Sequence, residues 1–154
     1  MGLFRRLFTS GDARLQEEVL TGLVDDYNAE VRLAQQLRLH AEEAPYPHAA
    51  DRLQQLAALE EAQAERLRNE ILRLGGSVAP PEPSVRSARN HWARLVCDLE
   101  DEQAAGKRYL DQAVRWEEAY PETADLLRNL GREEQTHRVW IQDLIARSDP
   151  QAIN

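Results

Sequence analysis

Four stretches of this chain carry an apolar stripe at helical spacing, and a glutamate interrupts each stripe near its middle. The first stripe reads Leu15, Val19, Leu23, Tyr27, Glu30, Ala34, Leu37, Ala41, and the second Leu53, Ala57, Glu60, Ala64, Leu67, Ile71, Leu74. The third runs Trp92, Leu95, Leu99, Glu102, Gly106, Tyr109, Ala113, Trp116, and the fourth Leu127, Leu130, Glu134, His137, Ile141, Leu144. Steps of three and four residues return side chains to one face of an α-helix, so each glutamate points where its apolar neighbours point. A lone carboxylate in an apolar core is very costly. A fold that accepts four must gather them around something that neutralises them, which requires helices packed side by side with these residues at one level.

The punctuation agrees. Helix 1 is expected from Asp12 to Glu43, closing before Pro45-Tyr46-Pro47, and helix 2 from Pro47 to the Gly75-Gly76 stop. Helix 3 is expected from near Ser87 to about Ala119, and helix 4 from Pro121 to Ser148. Between helices 2 and 3 lies Ser77-Val78-Ala79-Pro80-Pro81-Glu82-Pro83-Ser84, too rich in proline to be helical. With its flanks it spans about 11–14 residues and reaches about 35–45 Å, the length of a helix of about 25–30 residues. The other two connections are tight. Short, long, short predicts an all-α four-helix bundle with one long crossover between helices 2 and 3. The expected division is an N-terminal flap over 1–11, the bundle over 12–148 and a tail over 149–154. The two halves also echo each other: Glu30 and Glu102 are 72 residues apart, while Glu60/Glu134, Leu53/Leu127 and Ile71/Ile145 are each 74 apart.

Composition removes several function classes. A net charge of −8 without a dense basic stripe argues against a nucleic-acid partner. The lone cysteine, Cys97, excludes a disulfide framework and any site built on several cysteines, a rubredoxin-type iron site included; Cys97 itself reads as a small core residue. Residues 1–8 are amphipathic but too short in apolar content for a secretory segment, and no apolar run approaches a membrane span. The expected compartment is therefore the cytoplasm. Packing of 1–8 on the bundle or on another subunit is the simpler reading, and membrane docking the other.

Glu134 and His137, three residues apart, share a helix face, and a carboxylate and an imidazole directed together into a core suit a metal ion. A Glu on helices 1 and 3 with Glu-x-x-His on helices 2 and 4 resembles the ferritin-like superfamily, in particular the diiron domain of rubrerythrin-type proteins. Glu30, Glu102 and Glu134/His137 match that pattern, and on helix 2 Glu60 matches while Gln63 stands where the second histidine belongs. The resemblance implies metal ligands at Glu30, Glu60, Gln63, Glu102, Glu134 and His137. Tyr109 takes the place of a tyrosine that supports the ligands, and Tyr27 lies close by on helix 1. Iron is the implied metal, with manganese and zinc suited to the same donors. A Gln carbonyl is a weaker ligand than imidazole, which leaves open an asymmetric pair of ions, a single ion or an empty site.

The implied chemistry is a diiron oxidoreductase acting on peroxide or dioxygen. The alternatives are a ferroxidase or iron-storage protein, and a metal-free bundle serving as scaffold or binding module. A homo-oligomer is expected, with a dimer as the simplest form. His40, His48 and His91 are read as surface residues, and Trp92, Trp116, Trp140 and Tyr27 as core or subunit-contact aromatics.

Overall fold

The computed structural model describes residues 10–153; the amphipathic start, residues 1–9, lies outside them. Among the described residues the chain forms helices α1 (Ser10–Glu42), α2 (Pro47–Arg73), α3 (His91–Trp116) and α4 (Pro121–Ala146), with no strand. α1 packs along α2 and α3 along α4, and the two hairpins meet through α1 against α3 and α2 against α4. None of these helices is long and apolar enough to cross a membrane.

The stripes go inward as their spacing requires. Val19, Leu23, Leu67, Ile71, Tyr109 and Leu127 belong to one apolar cluster. Leu33, Leu37, Leu53, Leu56, Leu95 and Ile141 belong to a second. Each fully buried aliphatic side chain contributes on the order of 2 kcal/mol. The four glutamates fall between these clusters in sequence and form a polar layer inside the bundle. Where α3 and α4 cross beside that layer, Gly106 lies against side chains of α4: a Cβ there would stand 3.3 Å from Arg138 Nη1 and 3.4 Å from Glu134 Cβ.

The helix ends have local causes. Pro47 and Pro121 occupy first-turn positions, where the missing N–H costs nothing. α2 closes at Gly75, whose φ of 87° suits a residue without Cβ, while the Gly76 N–H returns to the Ile71 carbonyl at 2.9 Å. α3 begins at His91 rather than near Ser87 because Asn90 caps it, its side chain accepting from the Ala93 N–H at 2.8 Å. The same Asn90 amide donates to the carbonyls of Pro150 and Ala152, tying the C-terminal tail to this corner. α3 also ends earlier than Ala119, because the chain turns after Trp116 to enter Pro121.

The crossover behaves as its length predicts. Gly76 lies against Leu20, the Glu82 carbonyl meets Arg32 Nε at 3.5 Å, and the Arg86 N–H donates to Gln36 Oε1 at 2.9 Å. These contacts climb α1 from residue 20 to residue 36, so α3 starts at the end of the bundle opposite the close of α2.

Candidate metal centre

Each helix delivers one glutamate to the middle of the bundle because each stripe carries it there. Glu30, Glu60, Glu102, Glu134 and His137 are all buried, none more than 3% exposed. His137 Nδ1 stands 2.6 Å from Glu60 Oε1, 3.5 Å from Glu102 Oε2 and 4.0 Å from Glu134 Oε1. One ligand atom from each of Glu60, Glu102, Glu134 and His137 lies within 4.8 Å of the others. Glu30 adjoins this group from α1, where it accepts a hydrogen bond from the Tyr109 hydroxyl.

Charge dominates the energetics. Burial raises the Glu30 and Glu102 carboxyls well above the ordinary range, and neighbouring carboxylates add to it, Glu60 foremost. Burial pushes Glu134 up to about 7. Burial also opposes ionisation of Glu60, but the His137 imidazole together with Glu30 and Glu102 outweighs it and leaves Glu60 as the ionised member. For His137, burial favours the neutral ring, and contact with Glu60 overcomes it to raise the imidazole. Without a cation the layer must therefore hold protons that a metal would replace.

Apart from Glu60 Oε1, which faces His137 Nδ1, six carboxylate oxygens in this layer have no hydrogen-bond donor among the described residues: Glu30 Oε2, Glu60 Oε2 and both oxygens of Glu102 and Glu134. Buried acceptors normally have partners. Hard carboxylate oxygens beside one imidazole form a donor set that suits divalent iron, manganese or zinc. These residues fit a metal.

Gln63, also buried, stands beside the cluster on α2. Its Nε2 donates to Glu133 Oε2 at 3.0 Å, and Arg66 holds the same carboxylate at 2.7 Å. Its Oε1 is buried without a hydrogen-bond partner, and the amide also assists ionisation of Glu134. Tyr109 is buried against Glu30, whereas Tyr27 is half-buried and lines a groove between α1 and α2 with Glu61 and Glu65.

Two histidines depart from expectation. His40 and His91 are buried, only 1% and 2% exposed, whereas His48 is at the surface as expected. His40 Nδ1 lies 2.9 Å from both oxygens of Asp98, and Gln36 Nε2 donates to Asp98 Oδ1 at 2.8 Å. The signal was present in spacing: Leu37/His40 and Leu95/Asp98 are each three residues apart, so both polar groups border an apolar stripe. What could not be read was that these two residues, 58 apart, would meet. Cys97 is half-buried and not a core residue; Trp116 is buried, while Trp92 and Trp140 are half-buried.

A ferritin-like domain profile matches residues 21–149. The chain belongs to the ferritin-like family. Solved structures share the fold. Mycobacterial bacterioferritin matches at 21% identity over 84% of each chain, with a TM-score of 0.77. Dps from Thermosynechococcus elongatus matches at 21% identity over 93% of this chain and 99% of its own, with a TM-score of 0.79. The Desulfovibrio desulfuricans bacterioferritin, described with its diiron site in different catalytic states, matches at 21% identity over 86% of this chain and 80% of its own, TM-score 0.77. A search of curated protein sequences returned no match.

Proposed function

We propose that this ferritin-like bundle handles iron, taking up ferrous ions at the buried layer and oxidising them as substrate. The observation that carries this reading is the set of six buried carboxylate oxygens without a hydrogen-bond donor around one imidazole, which a cation neutralises. Glu30, Glu60, Glu102, Glu134 and His137 are the ligands, and Gln63 at the sixth position makes one half of the site weaker. Each ferrous ion supplies one electron to dioxygen or peroxide as it becomes ferric. The protein's part is to exclude water, to give up the carboxyl protons as cations enter, and to hold Glu30 in place through Tyr109.

The rubrerythrin-type peroxide oxidoreductase, implied by the Glu-x-x-Gln and Glu-x-x-His motifs, uses the same residues. The ferritin-like match and the bacterioferritin and Dps neighbours favour iron handling as the primary activity. The chain is proposed to work as a homo-oligomer, with a dimer as the smallest assembly.

The test is iron content and ferrous oxidation. Protein from iron-supplemented cells should carry a substantial fraction of one iron per chain or more, nearly all of it lost in Glu134→Ala. Ferrous iron added without oxygen should oxidise faster than in buffer once air is admitted. A chain that stays empty in excess ferrous iron, with an unchanged Tm, refutes the proposal and leaves the metal-free scaffold. Iron that binds but oxidises only while peroxide is consumed catalytically favours the oxidoreductase.

A further inference from the structure

A cavity of about 240 Å³ opens between α1 and α3 beneath the crossover, and Glu30 lies in its wall. Guanidinium groups dominate its polar lining: Arg32 from α1, Arg86 from the crossover and Arg108 from α3, against the carboxyls of Glu30 and Asp101. Two of these cations are partly committed. Arg86 pairs with Glu100 and Asp101, at 2.6 Å and 2.9 Å. Arg108 Nε pairs with buried Asp26 at 2.8 Å, but its Nη2 is buried and has no hydrogen-bond partner. Arg32 reaches the Glu82 carbonyl through Nε at 3.5 Å, a long contact.

An unmet guanidinium N–H buried in the wall of a cavity calls for an acceptor, because a buried donor without one is costly. Planar guanidinium forks match tetrahedral oxyanions better than any other small ligand.

We infer that this cavity is a binding site for a small tetrahedral oxyanion of the phosphate class, held by Arg108 and Arg32 beside Glu30. The ligand is the free ion. Glu30 and Asp101 oppose an anion while the cation layer is empty. A divalent cation ligated by Glu30 reverses that opposition, so the two ligands bind with positive coupling, each tightening the other by the same factor. That coupling rests on the cation reading proposed above; the anion site itself does not. In an iron-handling protein the pair would place phosphate where ferric product forms.

The test is inorganic phosphate binding, followed by calorimetry on the full chain at constant ionic strength set with sodium chloride. Metal-free protein should bind one phosphate per chain. Arg108→Gln and Arg32→Gln should each weaken binding about tenfold, the loss of one charge-assisted contact. Arg108→Gln also strips Asp26 of its partner, so Arg32→Gln, at a half-exposed position, serves as the variant that keeps the fold. Redox-inert zinc ions should tighten phosphate binding at least fivefold in the wild type, and Glu30→Gln should reduce that gain. No saturable phosphate binding, or binding that Arg32→Gln leaves unchanged, overturns the inference. Phosphate binding in a chain that takes up no cation upholds the anion site and refutes the cation reading instead. Cation binding without phosphate does the reverse.

Discussion

Removing divalent ions should make the protein less stable as pH rises, and Glu134 sets the size of the effect. Burial first, and then the charge of Glu60, carry its carboxyl from 4.5 to about 7 in the folded chain. Between those values the folded protein keeps a proton that the unfolded chain has released. Its contribution to stability is therefore complete below pH 4.5 and is lost as pH rises through about 7. At about 1.4 kcal/mol per pH unit the loss is about 3 kcal/mol, on the order of 10 °C in Tm for a chain of this size. Glu30 and Glu102, also raised by burial, act in the same sense. So does His137, raised by Glu60 against the effect of burial. His91, held near 4 by burial, opposes them between about pH 4 and 6.5. It stands one turn into neither motif but at the start of α3, about 16 Å along the helix from Glu102, so comparison with Glu134→Gln cancels it. Urea unfolding with chelator present is the assay. At pH 5 the two proteins should have similar stability, since a neutral amide resembles a protonated carboxyl. At pH 8 the variant should be the more stable by about 3 kcal/mol, and zinc ions should restore the wild type alone. A stability gap that stays constant from pH 5 to pH 8 refutes the reasoning.

Gln63→His should raise the number of ions bound per chain, measured by elemental analysis after dialysis against ferrous or zinc ions; no gain counts against the alignment of α2 with the motif. Asp98→Ala should cost about 3–5 kcal/mol in urea unfolding, since it strands buried His40 and Gln36, while changing iron content little. Asn90→Ala should cost about 1 kcal/mol and speed amide exchange at residues 150–152, because one side chain serves both the α3 cap and the tail. Light scattering should return a mass of at least two chains; a monomer at micromolar concentration would remove the oligomer from the proposal.

Much was legible without coordinates because helical period and apolar spacing are local. The four stripes, the proline-rich crossover and the burial of one glutamate per helix follow from residues a few positions apart. α3 starts at His91 and not near Ser87 because a cap is decided by one side chain, Asn90, whose other partners lie 60 and 62 residues away. His40 is buried for a related reason: its carboxylate partner, Asp98, lies on a different helix. Gln63 is the intermediate case. Its position was visible, but the hydrogen bond that holds its Nε2 on Glu133 exists only once α2 lies against α4.

By itself, then, the order of residues determined which faces turn inward and that four carboxyls must share an interior, since both are consequences of period and of the cost of buried charge. Only the packed structure decided how those carboxyls divide their protons, which buried histidine finds a carboxylate, and that three arginines surround a cavity at Glu30. Such pairings depend on distances of a few ångströms between helices, and spacing along a single chain does not encode them.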